Sequence, residues 1–160
     1  MQARLRPHLE RFRQWLGHWR GAGKFADSRE TMMEIAFTPV LDGAALQVTS
    51  GAFELKTGVC INAGTGYWSV DKDGKLVSSS YSFDTGALLM HEVPEDPPGI
   101  CIEGVYDGST RFTVAIVPEG ETLTITTRRT AGYNQGSKPL TYAVMRRVAP
   151  APTAAPRKPK

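Results

Sequence analysis

Several groups of residues in this chain have types and spacing suited to chemistry. Gly21-Ala22-Gly23-Lys24-Phe25-Ala26 reads as G-x-G-x-x-A with a lysine inside, a pattern that in the right setting cradles a phosphate. His91, in the run "ALLMHEV", offers an imidazole that can bind a ligand, act as a general base or coordinate haem iron. Glu34, Glu54 and Glu103 fall in β-prone runs, and a strand carboxylate turned into a cavity has a raised pKa. Glu103 alternates with Cys101 and Val105, an apolar set, which makes it the first choice for a buried acid. Cys60 and Cys101 form no C-x-x-C and read as two small buried residues. There is no G-x-S-x-G, no cysteine with a histidine nearby and no cluster with metal-ligand composition.

The elements around these residues decide which chemistry survives. A dinucleotide loop needs a strand before its glycines and a helix after them, because the helix N-terminus holds the pyrophosphate. Here the order is reversed. Leu5, Leu9, Phe12 and Leu16, with Trp15 beside them, recur at helical spacing over residues 3–16; Pro7 suits only the first turn and Gly17 ends the run. From Trp19 onward, short β-prone runs alternate with turn signals such as Asp42-Gly43, Asp73-Gly74, Asp107-Gly108 and Glu119-Gly120. Lys24 belongs to no GxxxxGK[ST], so the phosphate reading fails, and Gly21 and Gly23 become strand positions where a neighbour must approach closely. The expected strands lie near 18–26, 30–38, 44–55, 58–70, 75–83, 87–93, 99–106, 111–117, 122–129 and 140–148. About ten antiparallel strands with short hairpins form a meander, and closing it removes the exposed edges. The expected fold is an all-β, up-and-down barrel of about ten strands with a short N-terminal helix.

In domain terms, residues 1–17 are read as a helix, 18–148 as the barrel and 149–160, "APAPTAAPRKPK", as a disordered tail. The longest gap, 130–139, is the expected mobile loop. The formal charge of +3 divides unevenly: Arg4, Arg6, Arg11, Arg13 and Arg20 outweigh Glu10 at one end, and Arg157, Lys158 and Lys160 add to the other. The body between is therefore mildly acidic, which argues against a nucleic-acid-binding face. No stretch is apolar enough to span a bilayer, and the N-terminus lacks the apolar middle of a secretory signal, so a cytoplasmic protein is expected.

The strand faces favour a roomy interior over a tightly filled one. Val77, Ser79, Tyr81 and Phe83 share one face, and Leu76, Ser78, Ser80 and Ser82 share the other. Hydroxyl residues with scattered aromatics can line a partly wet cavity. The expected cavity residues are Tyr67, Tyr81, Phe83, His91, Phe112 and Tyr142, with the 130–139 loop and the basic helix gating access.

Gly17-His18-Trp19, directly after the helix, resembles the G-x-W signature of the calycin barrels, the lipocalins and fatty-acid-binding proteins. That resemblance implies that Gly17 and Trp19 plug the barrel bottom. "LGHWRGAG", "MEIAF", "TGYWSVDKDGKL" and "KPLTYAVMRRV" are similar, in order and spacing, to segments of nitrobindin-like proteins over roughly residues 12–148. Pro39-Val40-Leu41-Asp42-Gly43 is also similar to a turn of other bacterial lipocalin-like proteins without an assigned function. The nitrobindin resemblance implies haem, held by a histidine in the closing segment, with a second histidine before T-G-Y-W. This chain departs at both places, with Tyr142 and Asn62. Tyr142 remains a ferric-haem ligand only if ionised, for which Arg146 is the available cation, and His91 is the other option. Three functions follow as expectations. The first is a non-enzymatic barrel binding a small apolar molecule, without nucleic acid, resident cofactor or metal, its oligomeric state open with a homodimer as one option. The second is a haem-binding nitrobindin-like protein that isomerises peroxynitrite or binds nitric oxide. The third is an isomerase or cyclase using the cavity.

Overall fold

The structure is a computed structural model that describes residues 5–83, 85–94, 99–106, 108–131 and 140–149. A 3-10 helix, Pro7–Trp15, precedes ten strands: β1 (Gly17–Phe25), β2 (Glu30–Val40), β3 (Ala45–Glu54), β4 (Cys60–Val70), β5 (Leu76–Ser82), β6 (Gly86–Val93), β7 (Ile100–Tyr106), β8 (Thr110–Glu119), β9 (Thr122–Ala131) and β10 (Thr141–Val148). Each strand pairs antiparallel with the next, and β1 pairs with β10, so the sheet closes into a ten-stranded barrel. The expected all-β, up-and-down barrel is the fold observed. Most of the loop expected to be mobile, residues 132–139, lies outside the described residues, as does the tail from residue 150. No helix among the described residues is long and apolar enough to cross a membrane.

Closure depends on the glycines of the first strand. A Cβ at Gly21 would lie 1.9 Å from the Val144 carbonyl oxygen, and one at Gly23 would lie 2.7 Å from that of Tyr142. No side chain fits there, so the backbone of β10 can cross close over β1, as the sequence suggested.

The helix seals one end of this barrel. Its buried side chains, Leu9, Phe12 and Trp15, are spaced by three. A 3-10 helix has three residues per turn, so that spacing puts all three on one ridge. The ridge packs into an aromatic cluster: Phe12, Trp15, Phe37 and Trp68 meet edge to face, with ring centroids 5.3–5.9 Å apart. Polar ties fix the helix from outside. Arg11 donates to both Glu92 carboxylate oxygens on β6, at 2.9 and 2.7 Å. The Leu76 N–H donates to the same carboxylate at 2.6 Å. Arg147 donates to the Leu16 and Gln14 carbonyls and lies over the Trp19 ring, 4.4 Å from its centroid. The Trp19 Nε1–H donates to the Trp15 carbonyl at 2.7 Å. Trp19 and Gly17 thus belong to the closed end, where Trp19 is buried against the helix. The plug itself is the helix ridge together with Phe37 and Trp68.

This placement corrects one expectation. The basic helix does not gate access, because it caps the end opposite the opening. The core follows the plug: Leu46, Leu76, Ile116, Leu123 and Met145 continue it into the lower barrel. Cys101 is buried as expected, but Cys60, at the start of β4, is exposed.

Candidate functional site

Above the plug the barrel encloses a cavity of about 590 Å³. Trp68 forms its floor, with Met90, Ile116 and Met145 low on the walls. At the open end lie Phe25, Asp27, Ser82, Thr85, Tyr106 and Arg129. The hairpin β1–β2 and the C-terminal ends of β3, β5, β7 and β9 all lie there, because strand direction alternates around a meander.

Two walls differ in chemistry. On β8, β9 and β10 the inward residues include Phe112, Val114, Ile116, Ile125 and Met145, with Thr110, Thr127, Arg129 and Thr141 nearer the opening. On β3, β4 and β5 they include Ser50, Asn62, Ser78, Ser80 and Ser82, with Gly64 and Gly66 between Asn62 and Trp68. Cross-strand register places Trp68 level with Ser78, and Ser78 level with Met90. One polar column therefore descends almost to the floor.

Of the six residues expected in the cavity, only Phe112 lines it. Tyr67, Tyr81, Phe83 and Tyr142 are exposed, at 51%, 60%, 58% and 45% of their surface, and His91 is exposed as well. The physical reason is register. Alternation assigns residues to two faces without saying which one is inside. Trp68 faces in, so its neighbour Tyr67 must face out. Ser78 and Ser80 lie opposite Trp68 and Gly66, so they face in, and Val77 and Tyr81 face out. Met90 then faces in opposite Ser78, and His91 faces out opposite Val77. On β10, Ala143 and Met145 pair with Ile125 and Leu123 on the inner face, so Tyr142 points out. The sequence did contain the deciding signal. In "GTGYW" the tryptophan alternates with glycines, and a large apolar residue needs burial more than a tyrosine does.

The same geometry tests haem. His91 and Tyr142 stand on the outer face, and neither can ligate a group inside the barrel. Asn62, at the position of the second histidine in the resemblance, does line the cavity, but its amide is a poor iron ligand. Among the described lining residues there is no histidine and no cysteine, and the single phenol is Tyr106, near the opening. The residues expected to hold haem therefore do not fit it.

Acid–base chemistry finds equally little. Glu103 is not the buried acid expected: it lies on the outer face and pairs with Arg111 at 3.1 Å. Asp27 and Glu34, on the margin of the cavity, are ion-paired with Arg29 at 2.6 Å and Arg20 at 3.2 Å. The Arg29 backbone N–H, and then its guanidinium, holds Asp27 below the usual carboxylate range. No hydroxyl of the described lining stands beside a histidine, and no group of metal-ligating residues occurs among the described residues.

No family model matches the chain, and no curated protein does. Among solved structures the chain is similar to Rv2717c from M. tuberculosis. The two share 19% identity over 91% of this chain and 100% of the other, with a TM-score of 0.74. At that identity the likeness shows a shared fold alone. A de novo designed fluorescence-activating β-barrel overlaps 83% of this chain and 93% of its own, at 10% identity and a TM-score of 0.37, too distant to carry an argument.

Proposed function

We propose that this protein is a non-enzymatic binding barrel that holds a small, mostly apolar molecule above the aromatic plug. The observation that carries this reading is the cavity of about 590 Å³, within the usual range of small-molecule sites. Its floor and the lower part of the β8–β10 wall are apolar, while serines and Asn62 line the facing wall. We also place the chain among nitrobindin-like calycin barrels, on the motifs at 16–23 and 65–76 and its closed ten-stranded barrel. The departure from the nitrobindins is at the ligand: the inward surface favours an organic molecule over iron chemistry. The exposed His91 and the ion-paired Asp27 and Glu34 leave the isomerase or cyclase reading without a histidine or an unpaired carboxylate in the described lining.

Native mass spectrometry of protein purified from its own host tests the proposal. A retained organic molecule, released on denaturation, is the expected result. The bare chain mass, together with no saturable binding of 1-anilinonaphthalene-8-sulfonate, would overturn it.

A further inference from the structure

Resting on that reading, we infer the ligand class: a rigid, ring-based molecule that carries hydroxyl or carbonyl groups along one edge, with that edge against β5. Three observations point to it.

First, polarity is confined to one side at depth. In the closed strand order β5 and β10 stand on opposite sides of the ring, as do β4 and β9. Ser78 and Ser80 therefore look across the cavity toward β10, where Met145 lines the wall with Ile125 beside it on β9. Second, nothing on the neighbouring strand shields the serines. Gly64 and Gly66 carry no side chains, and a Cβ at Gly66 would come within 2.7 Å of the Ser80 Cβ. Third, the deep hydroxyls are the ones left for a ligand. Ser82 bonds Thr85 at 2.6 Å near the opening. Ser80 reaches only the Leu88 carbonyl, at 3.4 Å, a marginal bond. Ser78 is 3% exposed, lines the cavity, and its hydroxyl has no hydrogen-bond partner among the described residues.

A buried hydroxyl covered by an apolar surface loses its hydration without compensation. An unbranched acyl chain would lay methylenes on Ser78, because its oxygens sit at one end only. A molecule with oxygens spaced along an edge satisfies Ser78 and Ser80 together. A rigid ring system holds that spacing with little ordering entropy to lose. Its bare face then packs on Val114, Ile125 and Met145.

Titration calorimetry with flavone and 7,8-dihydroxyflavone, matched in rings and differing in edge hydroxyls, tests this. The dihydroxy compound is expected to bind roughly tenfold tighter. Ser78→Ala should remove most of that preference, weakening the dihydroxy compound and strengthening flavone. Ser80→Ala, a second variant should the first fold poorly, should reduce the preference in the same direction. Equal affinities in the wild type, or a preference unchanged in both variants, would overturn the inference and leave the binding reading standing. So would failure of both flavones where 1-anilinonaphthalene-8-sulfonate still binds saturably. If none of the three probes binds and the protein is purified as the bare chain, both readings fall.

Discussion

The closed end and the upper half of this barrel are continuations of the same ten strands, yet they are packed on opposite principles. At the closed end, side chains from the helix, β2 and β4 fill the bore edge to face, and Phe12 is 1% exposed. In the upper half the inward positions of β5 are serines, and β4 contributes two glycines and an asparagine. The difference separates two tasks. Cohesion is concentrated in the plug, where large rings exclude water, and the walls above it can then be small enough to leave space. Stability in this chain is therefore expected to depend first on Phe12, Trp15, Phe37 and Trp68, and less on the barrel wall.

The strongest way to break that comparison is Phe12→Ala. It removes a ring that touches both Trp15 and Trp68 and should cost about 3–5 kcal/mol in chemical denaturation, as large-to-small core changes do. A loss below about 1 kcal/mol, the size of an average substitution, would mean that the helix is an accessory and the walls carry the fold.

A smaller effect sits on the outside of the same plug. Arg11, and behind it the Leu76 backbone N–H, holds the Glu92 carboxyl below the usual carboxylate range against the opposing effect of burial. A depressed folded pKa contributes stability that is complete above the unfolded value, about 4.3, and lost as pH falls through the folded one. Glu92→Gln should therefore be less stable than wild type by about 1 kcal/mol near neutral pH, and the two should converge in acid. Urea melts of both proteins across that range check it. A gap that persists unchanged in acid would show that the amide disturbs packing and that charge is irrelevant.

How much of this was legible in the sequence follows the same division. Strand number and order could be read because turns are local: Asp42-Gly43 and Glu119-Gly120 mark their hairpins with Gly43 and Gly120 at positive φ. The close approach at Gly21 and Gly23 was legible from the missing side chains. The helix stripe was legible too, although its spacing of three was a 3-10 signal. The cavity lining was not, because facing is a property of neighbouring strands. "SSSYSF" has two alternating faces, and aromatic content picks the wrong one. Only register with Trp68 turns its serines inward. The exposed tyrosines misled for the same reason, since an aromatic on a strand can serve cross-strand packing on the outer surface as well as a cavity.

The smallest predicted effect is the sharpest test of that inversion. Tyr81 lies on the outer face of β5, 60% exposed and opposite Thr65 and Ala87. Tyr81→Ser should change stability by no more than about 0.5 kcal/mol, as surface changes generally do, and leave the flavone affinities where they were. Its sequence neighbour Ser80, on the inner face, should alter those affinities when only its hydroxyl is removed. Adjacent residues would then differ more in binding than their sizes suggest, with the smaller deletion having the larger effect. A several-fold loss of affinity in Tyr81→Ser would place the tyrosine in the site and reverse the facing of β5. The serine column, and the polar-edged ligand argued from it, would go with it.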